Sequence, residues 1–493
     1  MKAELIESDA IGLGRMVRDG EIKSSELVEM TIERIEQVNP KLNAVIYKMY
    51  DEARTLAEQW DKEISSGKKI DAVFSGVPFL LKDLIAEYGG VPLHEGSSAV
   101  KGYISKVDTE LVKRHKAAGL ITIGKTNTPE FGCLPTTEPE LFGPTINPWN
   151  PDIIPGGSSG GSAVAVATGI VPLAHGNDGG GSIRIPASCN GIFGLKPTRA
   201  RNPMGPYFGD VGNGIAVEHG LSRTVRDSAA LLDATSGTAI GDPYYAPPKK
   251  RPYLEEVGAE VGRLKIGYMT SIPFGWSFAN NIDPECEKSV RDAAKLCESL
   301  GHQVEEINPE DLSYKNLFMH FGTIFSSTTG HIVQFWEREL GKEISQDQLE
   351  PVTWLVYQNA ATRTGADYLV AIEECQRFSR KVAHWFQNGN YDILLNTTLT
   401  VPPVKPGRLV AENLRKAGKA IQLMNQLTAF TFVYNVTGQP AMSVPLYWTA
   451  DNIPIGIQFA APFGEEGLLF RLAAQLEKER PWIDRKPPIY CDS

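Results

Sequence analysis

Cysteine and histidine are scarce in this chain, and neither is clustered. The 493 residues include six cysteines and eight histidines. No two cysteines stand in C-x-x-C spacing, and no two histidines stand in H-E-x-x-H spacing. These are common spacings of zinc ligands, and the dispersed cysteines do not resemble a disulfide framework either. We therefore expect this protein to use neither a metal nor a cofactor.

Positive charge and long apolar runs are also lacking. The formal net charge is −10 at pH 7, with 49 lysines and arginines against 59 aspartates and glutamates. Because nucleic acids and anionic membranes attract basic surfaces, this balance argues against both as partners. No apolar run reaches the ~18 residues of a membrane-spanning helix, and residues 1–7 lack the apolar segment of a secretory signal. We expect a cytoplasmic protein with no membrane span.

Helices and strands alternate in the sequence pattern up to residue 235. A first helix is predicted over 24–38, with Ser24 and Ser25 as N-cap candidates and Pro40 after its end. This alternation predicts the α/β class, and length alone predicts about three domains. The other predicted elements are helices at 51–64, 110–118, 222–235 (capped by Ser222) and 465–479, strands at 76–81, 120–123, 391–395 and 441–459, a strand–helix–strand unit at 264–306, and a mostly helical segment at 312–390.

A proline-rich stretch at residues 125–160 interrupts this pattern. It contains seven prolines among many threonine, asparagine and glycine residues. Proline is excluded from the interior of a long helix or a central strand, so the stretch is predicted to be a loop. Ordered loops of this length are usually functional. A second irregular stretch, 241–262, is the best candidate linker.

The first of two glycine–serine clusters spans residues 156–162 and reads Gly-Gly-Ser-Ser-Gly-Gly-Ser. It matches the G-x-S-x-G pattern of the nucleophile elbow in α/β-hydrolases. An elbow follows a buried strand, however, whereas residues 148–155 are rich in proline. His331 and His384 lie in no recognisable motif, which disfavours a Ser–His–Asp triad. The cluster also lacks the Lys-Ser/Thr ending of a phosphate-binding P-loop.

The second cluster spans residues 177–184 and reads Asn-Asp-Gly-Gly-Gly-Ser-Ile-Arg. The successive backbone N–H groups of residues 179–182 can curl into a nest that stabilises an oxyanion. Ser182 stands at the end of this nest, where its hydroxyl can attack a carbonyl group. Glycine-rich turns also occur simply because they permit tight backbone geometry, so for either cluster alone both interpretations stay open.

A nucleophilic serine needs a base, and Lys82 is the candidate. It ends the apolar run Phe-Leu-Leu at residues 79–81, which predicts a buried side chain. Burial disfavours the charged form of lysine by up to ~3–5 pK units. The pKa would then fall from its usual value of about 10.4 towards the operating pH. The alternative is a structural ion pair between Lys82 and Asp83.

Together these segments resemble the amidase signature family, and the resemblance covers nearly the whole chain. It implies an α/β fold with a large mixed central β-sheet covered by helices on both faces. It also implies a single domain over residues 1–493, with a core at about 74–200 and a variable substrate-channel region at about 270–430. The motifs that carry it are residues 76–83, 155–162, 176–187 and 191–198, with a spacing of 182 − 158 = 24 residues between two serines.

The resemblance implies a Ser–cis-Ser–Lys catalytic unit. Ser182 would be the nucleophile and the carrier of an acyl ester. Ser158 would be a bridging serine that follows a cis peptide bond from Gly157, and Lys82 would be the base. No metal takes part in this unit.

The resemblance also implies which residues surround the substrate. Asn177 stands where the family usually has threonine, and this departure removes no catalytic side chain. A glycine at position 179, where threonine or isoleucine is common, opens the pocket wall. Asp178 and Arg184 are interpreted as an ion pair that braces the loop. The residues expected at the oxyanion or the substrate are Gly132, Gly179, Gly180 and Gly181, together with the Ser182 amide.

Within the family, segments 178–190, 205–209, 217–219 and 241–244 resemble the 6-aminohexanoate cyclic-dimer hydrolases. The predicted function is hydrolysis of a small-molecule carboxamide, linear or cyclic, through an acyl ester. One alternative is the glutaminase subunit of a tRNA-dependent amidotransferase, which residues 199–220 do not resemble. A second is a non-catalytic binding protein on the same scaffold. The resemblance also allows a homodimer.

An aromatic-rich stretch provides a candidate acyl channel. Packing in the core explains these side chains equally well. If they line a channel, an apolar amide or an oligoamide is the expected substrate. The aromatic residues are Phe318, Phe321, Phe325, Trp336 and Trp354.

Overall fold

The computed structural model describes residues 7–68, 70–278, 281–410 and 414–491. Within these residues, eleven strands form one sheet. The strands are β1 (Val45–Lys48), β2 (Val77–Lys82), β3 (Leu120–Thr126), β4 (Leu173–Asp178), β5 (Phe193–Lys196), β6 (Val217–Ser222), β7 (Lys265–Tyr268), β8 (Gln303–Glu306), β9 (Ile393–Thr397), β10 (Ala441–Trp448) and β11 (Pro454–Ala460).

The strand order is β1-β3-β2-β4-β6-β5-β10-β11-β9-β7-β8. The β3–β2–β4 and β9–β7–β8 neighbours run parallel, and the remaining neighbours run antiparallel. Every residue of β2, β3 and β4 is buried, as expected for strands that are covered on both faces. The prediction of a large mixed sheet in an α/β fold is confirmed.

Helices pack around this sheet. The segment between β8 and β9 is mostly helical, as predicted. The helices are α1 (Ala10–Arg18), α2 (Ser24–Leu42), α3 (Tyr50–Ser65), α4 (Glu110–Ala117), α5 (Gly160–Ala167), α6 (Arg184–Asn190), α7 (Val225–Thr235), α8 (Tyr253–Glu256), α9 (Pro284–Ser299), α10 (Leu317–Leu340), α11 (Pro351–Ala361), α12 (Gly365–Gly389), α13 (Leu414–Thr428), α14 (Phe432–Thr437) and α15 (Glu466–Glu479).

Helix α2 differs from its prediction at both ends. Its N-cap residue is Lys23, because the carboxylate of Asp61 accepts the backbone N–H groups of Ser24 and Ser25, at 2.7 and 3.3 Å. A side chain from the neighbouring helix α3 thus replaces the expected local serine cap. The helix also continues through Pro40 to Leu42 instead of ending before the proline.

Helix α7 begins later than predicted. Ser222 is the last residue of β6, and its hydroxyl donates to the carbonyl oxygen of Thr224 at 2.7 Å. Thr224 is the N-cap, since its side chain accepts the N–H of Asp227 at 3.3 Å. The prediction of Ser222 as the cap was therefore wrong.

The proline-rich stretch forms a long loop between β3 and α5, and a single turn of 3₁₀ helix interrupts it at Glu130–Gly132. The single-domain interpretation stays a prediction. Strands from residues 74–200 and strands from later segments join one sheet, which favours one domain over three.

Among the described residues, no helix has both the length and the apolar character needed to cross a membrane.

Candidate active site

Lys82 lies at the end of β2, and its side chain is fully buried. Its Nζ contacts Ser158 Oγ at 2.7 Å and Asn177 Oδ1 at 2.5 Å. The alternative ion pair with Asp83 is wrong: Asp83 lies just beyond the end of β2, and its carboxylate binds other side chains. Asp83 instead pairs with Lys125, at 3.1 Å, and with His94, at 3.0 Å.

Burial lowers the pKa of Lys82 to about 7, although the negative charges of Glu218, Asp178 and Glu95 act to raise it. Burial thus favours the neutral form of the Lys82 amine at a pH where an ordinary lysine is charged. Only the neutral amine can accept a proton, so this residue meets the condition for a general base near neutral pH.

Ser158 follows a cis peptide bond from Gly157. The loop before it is irregular, so Ser158 does not stand on a strand-to-helix elbow. Within the described part of the chain, the residues that line the surrounding pocket include no histidine. The α/β-hydrolase interpretation of this cluster is therefore disfavoured by the structure as well as by the sequence.

Ser182 lies in the turn between β4 and α6 and is half-buried in the wall of the same pocket. The two glycine–serine clusters meet here, because the backbone N–H of Ser159 donates to the carbonyl oxygen of Ser182 at 3.2 Å. Ser158 also lines this pocket, while Lys82 lies behind Ser158, away from solvent. The fold thus brings together the three residues of the predicted catalytic unit.

The four N–H groups of the predicted oxyanion nest differ in their hydrogen bonds. The N–H of Gly181 already donates to the carboxylate of Asp178, at 2.7 Å. For the N–H groups of Gly179, Gly180 and Ser182, the described residues provide no hydrogen-bond acceptor. Gly179 and Gly180 line the pocket. The prediction that Gly181 supplies an oxyanion donor is therefore corrected, because its N–H holds the loop.

Asp178 and Arg184 form the predicted ion pair, and both side chains are fully buried. Arg184 Nε and Nη2 each contact a carboxylate oxygen of Asp178 at 2.9 Å. Burial acts to raise the pKa of Asp178, but the charge and hydrogen bonds of Arg184 outweigh it and hold the pKa below its usual range. Asn435 adds a hydrogen bond to the same carboxylate at 2.9 Å. The turn that carries Ser182 is thereby fixed in place.

Gly132 lies where the proline-rich loop meets Ser158. Its φ of +66° is in the left-handed region that favours glycine. A Cβ at this position would lie 2.7 Å from Leu84 Cδ2 and 3.2 Å from Ser158 Oγ. The glycine therefore keeps the space beside Ser158 open, and it lines the pocket. Its contact with a substrate stays a prediction.

The pocket wall is largely apolar and includes four of the five predicted aromatic residues: Phe318, Phe321, Phe325 and Trp336. The fifth, Trp354, lies outside the wall and packs against Tyr357, with ring centroids 5.5 Å apart.

Among the described residues, no group of three or more histidine, cysteine, aspartate or glutamate side chains is placed to hold a metal ion.

The contacts of two polar residues of the site were not predicted from the sequence. Asn177 is a departure from the family pattern, yet its side-chain oxygen accepts the hydrogen bond from Lys82 Nζ. Glu95 is buried in the pocket wall. An alignment of relatives could have marked Asn177, since it lies in the motif, but a lone glutamate before a glycine marks no particular chemistry.

Comparison with known proteins agrees with this geometry. The profile of the Amidase family matches residues 26–470. The 6-aminohexanoate-cyclic-dimer hydrolase of Paenarthrobacter ureafaciens is 39% identical, over 98% of this chain and 96% of that protein. A solved structure of a 6-aminohexanoate cyclic dimer hydrolase superposes with a TM-score of 0.90 at 38% identity, over 98% of this chain and 99% of the other. A bacterial aryl acylamidase of the amidase signature family superposes with a TM-score of 0.85 at 27% identity, over 96% of each chain. The chain therefore belongs to the amidase signature family.

Proposed function

We propose that this enzyme hydrolyses a carboxamide C–N bond with Ser182 as nucleophile, Ser158 as bridging serine and Lys82 as base. The observation that carries the proposal is the 2.7 Å contact between Lys82 Nζ and Ser158 Oγ, directly behind a pocket that Ser182 lines. A lysine with a pKa of about 7 is suited to this role.

In the acylation step, neutral Lys82 takes a proton from Ser158 while Ser158 takes one from Ser182. The Ser182 oxygen attacks the amide carbon, and the N–H groups of Gly179, Gly180 and Ser182 stabilise the oxyanion. The C–N bond then breaks as the same relay returns a proton to the leaving nitrogen. An amine leaves, and the acyl group remains on Ser182 as an ester.

In the deacylation step, water replaces the amine. The relay removes a proton from the water, whose oxygen attacks the ester carbon. The ester bond breaks, the proton returns to Ser182, and a carboxylic acid leaves. No external oxidant, reductant or metal is needed for this sequence.

The substrate that we propose is an apolar amide or an oligoamide of the 6-aminohexanoate type. The apolar wall of the pocket suits alkyl chains. The similarity to 6-aminohexanoate cyclic-dimer hydrolases supports the same choice, at 39% identity over 98% of this chain. The tRNA-dependent glutaminase alternative predicts instead a need for partner subunits, so hydrolysis by the purified chain alone would argue against it.

The proposed nucleophile can be tested with a serine-reactive fluorophosphonate. We expect an adduct on Ser182, located by peptide mass spectrometry, and no adduct at this position in a Ser182→Ala variant. An adduct on Ser158 in the wild-type enzyme would mean that Ser158, and not Ser182, is the nucleophile, and it would contradict the proposal. If neither serine reacts and no amide is hydrolysed, the chain is a binding protein on this scaffold.

The rate of hydrolysis is expected to rise with pH through about 7, because the base must be neutral and burial lowers the pKa of Lys82 to about 7. Below this pH, kcat/KM should fall about tenfold per pH unit, and above it the rate should level off. The measurement is a pH–rate profile with N-hexylhexanamide, an amide that has no other polar group. A rate that falls as pH rises through 7 would mean that protonated Lys82 is the active form.

A further inference from the structure

Glu95 places a carboxyl group in the largely apolar wall of the pocket that Ser182 lines. The residue is 5% exposed and lines the same pocket as Ser158 and Ser182. Trp336 Nε1 donates to Glu95 Oε2 at 2.7 Å, and the backbone N–H of Ile85 donates to Oε1 at 3.2 Å. Burial raises the pKa of Glu95 to about 7.

This carboxyl group has no cationic partner among the described residues, where no lysine, arginine or histidine forms an ion pair with it. The other carboxyl group in the pocket wall, that of Asp178, is neutralised by Arg184. A carboxylate has about four acceptor positions, and the two donors to Glu95 occupy two of them. Acceptor capacity therefore remains for a molecule in the pocket.

The backbone around Glu95 is held in an uncommon conformation. Ile85, Glu95 and Phe131 have φ values of 64°, 51° and 48°, and all three line the pocket. Of the nine non-glycine residues with positive φ in the described chain, five are asparagine, the residue that tolerates this region best. Such conformations are energetically unfavourable for these residue types and cluster at functional sites.

Hydrogen bonds to Glu95 join these three residues into one corner of the pocket. The Ile85 N–H binds the carboxylate, and the Phe131 N–H donates to the Glu95 carbonyl oxygen at 2.8 Å. Phe131 directly precedes Gly132, at which an added Cβ would lie 3.2 Å from Ser158 Oγ. The corner is thus built onto the same loop that approaches the catalytic serines.

We infer that Glu95 is a specificity-determining residue that accepts a hydrogen bond from a second N–H group of the substrate, an alkyl chain away from the amide that is cleaved. The inference rests on the proposed function and names a narrower substrate class for it. The second N–H group belongs either to another amide or to a terminal ammonium, and both present the same donor chemistry. The apolar wall accommodates the alkyl chain between the two groups.

The test compares matched amides in which only the second donor changes. N-hexylhexanamide is the donor-free reference, and its analogues carry a terminal acetamido or ammonium group on either the acyl or the amine chain. The enzymes are the wild type, Glu95→Gln and Glu95→Met. Glu87→Gln is the control, since Glu87 is also buried and hydrogen-bonded, by Tyr103 at 3.2 Å, but does not line the pocket.

The measured quantity is the ratio of kcat/KM for a donor-bearing amide to kcat/KM for the reference. We expect the wild type and Glu87→Gln to favour a donor on one of the two chains by about tenfold or more, as for a hydrogen bond to a charged group. Glu95→Met should bring the ratio close to one. Glu95→Gln should lower this ratio more for the ammonium-bearing amides than for the acetamido-bearing ones. The reason is that glutamine keeps an acceptor oxygen but lacks the negative charge of glutamate.

Two other results would be equally informative. If the Glu95 variants slow all amides by the same factor, Glu95 only shapes the pocket wall and the inference is overturned, while the proposed function stands. If the wild-type enzyme hydrolyses none of these amides, the proposed function fails, and the inference fails with it.

Discussion

Replacing Ser182 by alanine is expected to lower kcat for amide hydrolysis by on the order of 10⁵-fold or more. The variant keeps the pocket but has no oxygen on which to carry the acyl group. Hydrolysis should be followed by mass spectrometry of the released amine, because the residual rate will be small. Turnover within about a hundredfold of wild type would assign the acyl-enzyme to another residue.

Ser188→Ala is the matched control for this experiment. Ser188 lies on α6, a few residues beyond Ser182, and its hydroxyl accepts the N–H of Gly456 at 2.7 Å. It does not line the pocket. Loss of this buried hydrogen bond should cost about 1–3 kcal/mol of the free energy of unfolding while the hydrolysis rate is retained. A rate loss in both variants would indicate general damage to the α6 region.

Replacing Lys82 by methionine is expected to slow hydrolysis by about 10²–10⁴-fold, the usual contribution of a general base. The side chain is fully buried, and methionine fills a similar volume without the amine. The rise of the hydrolysis rate through pH 7 should also disappear, because the variant lacks the amine. A variant that keeps both its rate and its pH dependence would remove Lys82 from the mechanism.

A second buried lysine provides the control for Lys82. Lys196 is also fully buried, and burial lowers its pKa well below the usual value. Its Nζ donates to the carbonyl oxygen of Pro197 at 2.8 Å, and it does not line the pocket. Lys196→Met should therefore retain the rate within about tenfold and keep the pH dependence.

Much of the fold and of the site could be predicted because short patterns determine local structure. The apolar run before Lys82 predicted a buried strand, and burial accounts for the lowered pKa of the lysine. The glycine-rich turn before α6 predicted exposed N–H groups next to Ser182. One prediction failed locally, since the cap of α7 is Thr224 and not Ser222. The other failures came from segments that are distant in sequence. Asp61 replaced the predicted serine cap of α2, and packing placed Trp354 outside the pocket.

The family, the class of fold and the three residues of the proposed catalytic unit could be read from short, specific sequence motifs. The groups that those residues contact follow from the folded chain alone. Asn177 accepts a hydrogen bond from Lys82, which lies 95 residues earlier in the sequence. Trp336 donates a hydrogen bond to Glu95, which lies 241 residues earlier. The physical reason is that a motif determines local backbone geometry and burial, whereas a hydrogen-bond partner depends on which distant segments pack against it.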